Sequence, residues 1–132
     1  MNVDIAMKAG IADAPTVLVV EDEAIIRMTL VDELEDAGFA VIEAEGADAA
    51  VAIMSKGATI RAVITDVRMP GSIDGLGLAA WMLDKAPCIP IIITSGFATV
   101  PDCEAINSAI TRVVLKPYSP KSVASLVVAL LS

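Results

Sequence analysis

The chain has 132 residues, 17 of them acidic against 9 basic for a formal net charge of −8, and is 56% hydrophobic but only 3% aromatic. That length suits one domain burying roughly two-thirds of the surface its unfolded chain exposes, and the acidic balance repels a phosphate backbone or an anionic membrane. With no histidine present, histidine metal sites, Ser-His and Cys-His catalysis and a phosphohistidine on this chain are excluded, which leaves carboxylates, hydroxyls and lysine.

Residues 1–15 show no sustained hydrophobic period and end in Ala14-Pro15, so they read as a loosely held leader. Asp4 and Lys8 there do not make the basic-then-apolar pattern of a signal peptide. The predicted domain, 16–132, opens on the run TVLVV (16–20), followed by Glu21-Asp22-Glu23. Ile26, Leu30, Leu34 and Ala37 then repeat at the spacing of one helical face, and Gly38 supplies a C′ residue from which Phe39 packs back on Leu34. A second run, AVIEA (40–44), precedes an Ala-rich helix over 46–56.

The third run, RAVIT (61–65), leads into Asp66. Asp74 is placed to cap a helix through Leu76, Ala80 and Leu83 that Pro87 stops. The fourth run, PIIIT (90–94), is followed by Ser95-Gly96, and 101–109 read as a short, weakly apolar helix. The fifth, RVVL (112–115), ends in Lys116-Pro117. Ser119-Pro120 is an N-cap with an N1 proline, opening a last helix with Val123, Leu126, Val127, Leu130 and Leu131 inward.

Most of these runs are apolar continuously rather than alternately, the mark of strands covered on both faces of a parallel sheet. Five β-α units imply an open, doubly wound α/β sheet with right-handed crossovers. Nothing in the sequence is left over for an output domain, which predicts a stand-alone domain acting through another protein. Cys88 and Cys103 lack C-x-x-C spacing and read as buried or half-buried free thiols, suited to a reducing cytoplasm. No apolar run approaches the ~18 to 20 residues that span a bilayer.

Ligands of such sheets bind at the carboxyl ends of the strands, where strand order switches. Glu21 and Asp22 follow the first strand, Asp66 the third, Ser95 the fourth and Lys116 the fifth. An acidic run after a strand also serves as a first helical turn, the reading for Glu23, and Asp66 alone would pass for a cap or an Asx turn. Four such elements in order are what point to a site. Carboxylates crowded together raise each other's pKa unless a cation neutralises them, and oxygen ligands with room for water suit Mg2+.

The segments VLVVEDE, VITDVRMPG with DGL behind it, PIIITSG and VLKPYSP together resemble the receiver domain of bacterial two-component response regulators, over residues 16–132. The resemblance implies a flavodoxin-like (β/α)5 sheet of strand order 2-1-3-4-5. It implies Asp66 as phosphoacceptor from a phosphohistidine on a sensor histidine kinase or a histidine phosphotransfer protein. Mg2+ would be held by Asp22, Asp66 and the backbone carbonyl of Arg68, with Glu21 completing the acidic pair, and Lys116 would contact Asp66 and then a phosphoryl oxygen. Ser95 takes the switch-hydroxyl position, with Thr94 as its competitor, and the output is a change on the face between the fourth strand and the last helix. The implied protein is a cytoplasmic monomer or weak dimer that catalyses only its own phosphorylation and dephosphorylation, with no nucleic acid or membrane as partner. Val113 stands where many receivers carry an aromatic ring, Tyr118 reads as a half-buried packing residue, and Glu21 stands where Asp is frequent. Arg68 and Phe97 flank the site.

Other classes fit less well. An aspartate-nucleophile phosphatase needs a second acid two residues after the nucleophile, where Arg68 stands. A dinucleotide fold needs G-x-G-x-x-G after the first strand, where EDEAII stands. A pseudo-receiver or phosphate sink, acting by protein binding alone, is the alternative within the family.

Overall fold

The computed structural model describes residues 14–96 and 110–132. All but the last two residues of the expected leader, the helix expected over 101–109, Phe97 and Cys103 therefore lie outside the described residues. Five strands, β1 (Thr16–Val20), β2 (Ala40–Ala44), β3 (Ala62–Asp66), β4 (Ile91–Ser95) and β5 (Arg112–Leu115), form one sheet in the order β2-β1-β3-β4-β5. Every neighbouring pair is parallel. Four described helices accompany them: α1 (Ala24–Asp36), α2 (Ala47–Ser55), α3 (Gly75–Lys85) and α4 (Pro120–Leu131). The doubly wound sheet is the one the residue pattern predicts, and its strand order is the one the resemblance implies.

Strand alternation divides the apolar runs between two cores. Leu18, Val20, Val63, Ile91 and Ile93 face Ala47, Ala50, Leu78, Ala79 and Met82 of α2 and α3. Val17, Val19, Ala62, Ile64 and Ile92 face Leu30, Leu34, Val123, Ala124 and Val127 of α1 and α4. β1, β3 and β4 are buried almost throughout. β5 is different: among the described residues it pairs only with β4, and its Val113 and Leu115 are exposed.

The helix ends follow the local chemistry. Phe39 N donates to Leu34 O (3.1 Å) and Gly38 N to Glu35 O (3.0 Å), the two bonds of a Schellman close. Asp74 Oδ1 accepts from Leu76 N (3.0 Å) and Gly77 N (2.9 Å), and Ser119 caps α4 ahead of Pro120. β3 and β4 each run one residue further than their apolar segments suggested, so Asp66 and Ser95 are strand residues.

The helix that Asp74 caps is α3; its buried face is Gly75, Leu78, Ala79 and Met82, while Ala80 and Leu83 are exposed. Gly75 sets that rotation: it packs so tightly on β3 that a Cβ there would overlap the Asp66 carbonyl oxygen and lie 2.9 Å from its carbon. Cys88 is a free thiol as expected, but exposed, because it sits in the turn between α3 and β4.

Gly75→Ala should therefore lower stability by about 1–3 kcal/mol, the usual cost of overpacking, read from the urea midpoint at unchanged m-value. Ala80→Ser, on the exposed face, should stay within about 0.5 kcal/mol of the parent.

Candidate functional site

Four strands end at the same edge of the sheet, and the polar residues there meet. Glu21 follows β1 directly and is only 1% exposed, with its backbone N donating to Ala44 O (3.0 Å). Its carbonyl accepts from Arg27 Nη1 (2.8 Å), whose Nε pairs with Glu43 Oε1 (3.0 Å), so α1 and β2 both hold the β1 end in place. Asp22 is exposed and Asp66, closing β3, is 8% exposed. One carboxylate oxygen from each of Glu21, Asp22 and Asp66 lies within 4.8 Å of the others.

Lys116 reaches this cluster from just beyond β5, its Nζ 2.7 Å from Asp66 Oδ2. Its backbone N donates to Ser95 O (2.8 Å), tying the lysine to the end of β4. Thr94 pairs in register with Asp66, and both Thr94 and Ser95 are buried. Val67 N donates to Thr94 O (3.3 Å), so the chain leaving β3 stays bound to β4 before turning away. Arg68 follows in that turn with an exposed side chain.

Burial, helped by the Asp66 charge and the Asp22 hydrogen bond, pushes the Glu21 carboxyl up to about 7. The Glu23 amide and the Lys116 charge oppose this shift and only partly offset it. Burial works against the Lys116 ammonium as well, but there the Asp66 hydrogen bond and the charges of Asp66, Glu21 and Glu23 prevail and hold its pKa above the ordinary value. Burial first, then the charges of Glu21 and Asp66, push the Tyr118 hydroxyl up to about 12. Three carboxylates against one ammonium leave an excess of negative charge on hard oxygen donors, a set that fits a divalent cation of the Mg2+ type.

Glu21, Asp22, Asp66 and Lys116, each proposed from its place after a strand, are thus brought together. Glu23 is the N-cap of α1, and its amide donates to Glu21 Oε2 (3.1 Å). Tyr118 is half-buried against the α1/α4 core, as expected of a packing residue. Sequence reasoning missed Thr65, whose Oγ1 donates to the Asp66 carbonyl oxygen (2.9 Å) and helps set the turn. A threonine inside a β-branched run carries no signal of that kind.

The model of the response regulator receiver domain family matches residues 17–128. A putative NtrX-like response regulator of Rickettsia felis is 35% identical over 105 residues, covering 78% of this chain and 22% of that protein. The C4-dicarboxylate transport transcriptional regulatory protein DctD of Rhizobium meliloti is 34% identical over 107 residues, covering 80% of this chain and 23% of that one. This chain therefore spans under a quarter of the length of either relative. Among solved structures, the response regulator protein TrrA of Thermotoga maritima in complex with Mg2+-BeF superposes with a TM-score of 0.78 at 29% identity, over 89% of this chain and 99% of that one. A CheY-like receiver domain protein from Methanospirillum hungatei, 20% identical, shares the fold with a TM-score of 0.78 over 89% of this chain and 94% of its own.

The raised Glu21 pKa sets a pH dependence for the metal-free protein. Below about 4.5 the carboxyl is protonated in both folded and unfolded chains. Above that, the unfolded chain ionises first, so Glu21 subtracts stability increasingly until about pH 7 and by a constant amount beyond. The urea midpoint of Glu21→Gln minus that of the parent should rise between about pH 5 and about pH 7.5; a difference that does not change with pH would contradict the assignment.

Proposed function

This chain belongs to the response regulator receiver domain family, and from that premise we propose that Asp66 accepts a phosphoryl group from a phosphohistidine on a sensor histidine kinase or histidine phosphotransfer protein. Receivers of this family are signalling domains rather than turnover enzymes. The observation that carries the reading is the 2.7 Å contact of Lys116 Nζ with Asp66 Oδ2 inside the carboxylate cluster.

The Asp66 carboxylate attacks phosphorus, a new O–P bond forms, and the P–N bond to the partner's imidazole breaks, leaving that ring with the bonding pair. Asp66 attacks as its carboxylate, and Lys116 sets a compact positive charge directly against it. Glu21, Asp22, Asp66 and the carbonyl of Arg68 would hold Mg2+, which when bound offsets the negative charge the phosphoryl group brings into an already acidic site. Lys116 then exchanges its carboxylate contact for a phosphoryl oxygen. Arg68 stands at the position where a phosphatase would carry the second acid that protonates a leaving alcohol. Ile25 and Met28, 82% and 59% exposed on the first turns of α1, give an apolar flank on which a histidine-bearing partner can seat.

Ser95, the last residue of β4 and bound through its carbonyl to Lys116 N, donates to the new phosphoryl group. That draws in the end of β4, and a population shift on the face between β4 and α4 carries the signal to a protein partner. Thr94, the register partner of Asp66, is the competing hydroxyl.

Purified protein given Mg2+ and acetyl phosphate should gain one phosphoryl mass, and Asp66→Asn should abolish the gain. Wild-type protein that binds Mg2+ yet gains no mass would favour a pseudo-receiver that acts by protein binding alone. Ser95→Ala should keep labelling but lose the phosphorylation-dependent amide shifts of β4, whereas Thr94→Ala keeps both; the reverse pattern assigns the switch to Thr94.

A further inference from the structure

The turn that leaves the site, 67–74, is fastened at its ends by the sheet and by α3: Val67 N donates to Thr94 O (3.3 Å) and Gly75 N donates to Val67 O (2.8 Å). Its middle is fastened by a residue from a different element. Asp48, in the first turn of α2, accepts from Ser72 N through Oδ2 (2.9 Å) and from Ser72 Oγ through Oδ1 (2.6 Å), so both carboxylate oxygens are committed to one serine. Hydrogen bonds to an ionised acceptor are about twice as strong as neutral ones, and these two hold the Asp48 pKa below its ordinary value.

The neighbouring residues are shaped for this contact. Gly71 has φ +120°, a conformation L side chains rarely adopt, and a Cβ there would stand 2.8 Å from Asp48 Oδ2. A Cβ on Gly46, the N-cap of α2, would stand 3.5 Å from Pro70 O, so the turn lies directly against the start of that helix. Met69 and Ile73, on either side of the latch, pack on the α2/α3 core.

We propose that Asp48 is a positioning residue for the metal site: through Ser72 it fixes the turn that presents the Arg68 carbonyl to the carboxylate cluster. The proposal rests on the phosphoacceptor reading above and gives α2, which contributes no residue to the site, a part in assembling it. Asp48 touches neither the cation nor the phosphoryl group and acts only by limiting the positions the turn samples. Its loss should weaken cation binding and leave the phosphotransfer step itself intact.

The test compares Asp48→Ala, Asp48→Asn, Ser72→Ala and wild type by Mg2+ calorimetry, amide hydrogen exchange of the metal-free protein, and acetyl phosphate labelling at limiting and saturating Mg2+. Asp48→Ala should raise the Mg2+ Kd about tenfold, the scale on which groups behind metal ligands act. It should also speed exchange at the Ser72 amide and slow labelling at limiting but not saturating Mg2+. Asp48→Asn, keeping one acceptor oxygen, should fall between. Ser72→Ala, which leaves every charge in place, should raise the Kd as well, which separates positioning from the simple loss of a nearby negative charge. A wild-type Mg2+ Kd in both Asp48→Ala and Ser72→Ala, whatever their melting temperatures, would overturn the proposal. Failure of the phosphoacceptor reading looks different: wild-type protein itself would gain no phosphoryl group while the Mg2+ Kd comparison still stands, and if wild-type protein also bound no Mg2+ both inferences would fall together.

Discussion

The pairing of Lys116 with Asp66 is the interaction the rest of the site depends on, and it places a demand on the fold. Asp66 ends β3 and Lys116 directly follows β5, with β4 between them. Neighbouring strands lie about 4.8 Å apart, so these backbones are separated by roughly 10 Å. Only a long side chain crosses that gap, and the four-carbon stem of lysine does so while the buried end of β4 passes beneath it. The contact survives only if the sheet order is kept and each strand stops where it does. A one-residue slip of β3 would turn Asp66 to the opposite face of the sheet.

The same edge carries more negative charge than the lysine neutralises. Glu21 is buried beside Asp66 with its pKa near 7, a destabilising arrangement that the two apolar cores are large enough to hold. Removing Lys116 would leave Asp66 without its partner at a buried position, and would therefore cost more than the pair itself contributes. A bound cation relieves the excess, as does protonation of Glu21. Cation binding, proton binding and the stability of the sheet edge would thus be one coupled equilibrium, and the proposed phosphorylation would add about two further negative charges to it.

Much of this was legible in the sequence because it is written locally. TVLVV and PIIIT are apolar without alternation, which only strands covered on both faces tolerate, and Gly38-Phe39 and Asp74 announce helix ends by their own chemistry. Asp66, Asp22 and Lys116 stood out because a charge directly after such a run needs a partner. What was not legible depends on the packing of one element against another. The face of α3 is set by the close approach of Gly75 to β3, which no helical period encodes. The exposure of Cys88 follows from the turn it occupies. Asp48 and Ser72 are far apart in sequence and each is unremarkable alone, so their contact appears only once α2 and the turn after β3 are side by side.

The central claim is that four strand ends converge on a single phosphoryl site. It is tested most directly by titrating the protein with beryllofluoride, a tetrahedral stand-in for the phosphoryl group, with and without Mg2+, while following the backbone amide spectrum. The account predicts that the amides of Asp22, Val67, Ser95 and Lys116 shift together, with one saturation point, and only when Mg2+ is present. Shifts confined to one strand end, or the same shifts without Mg2+, would contradict it.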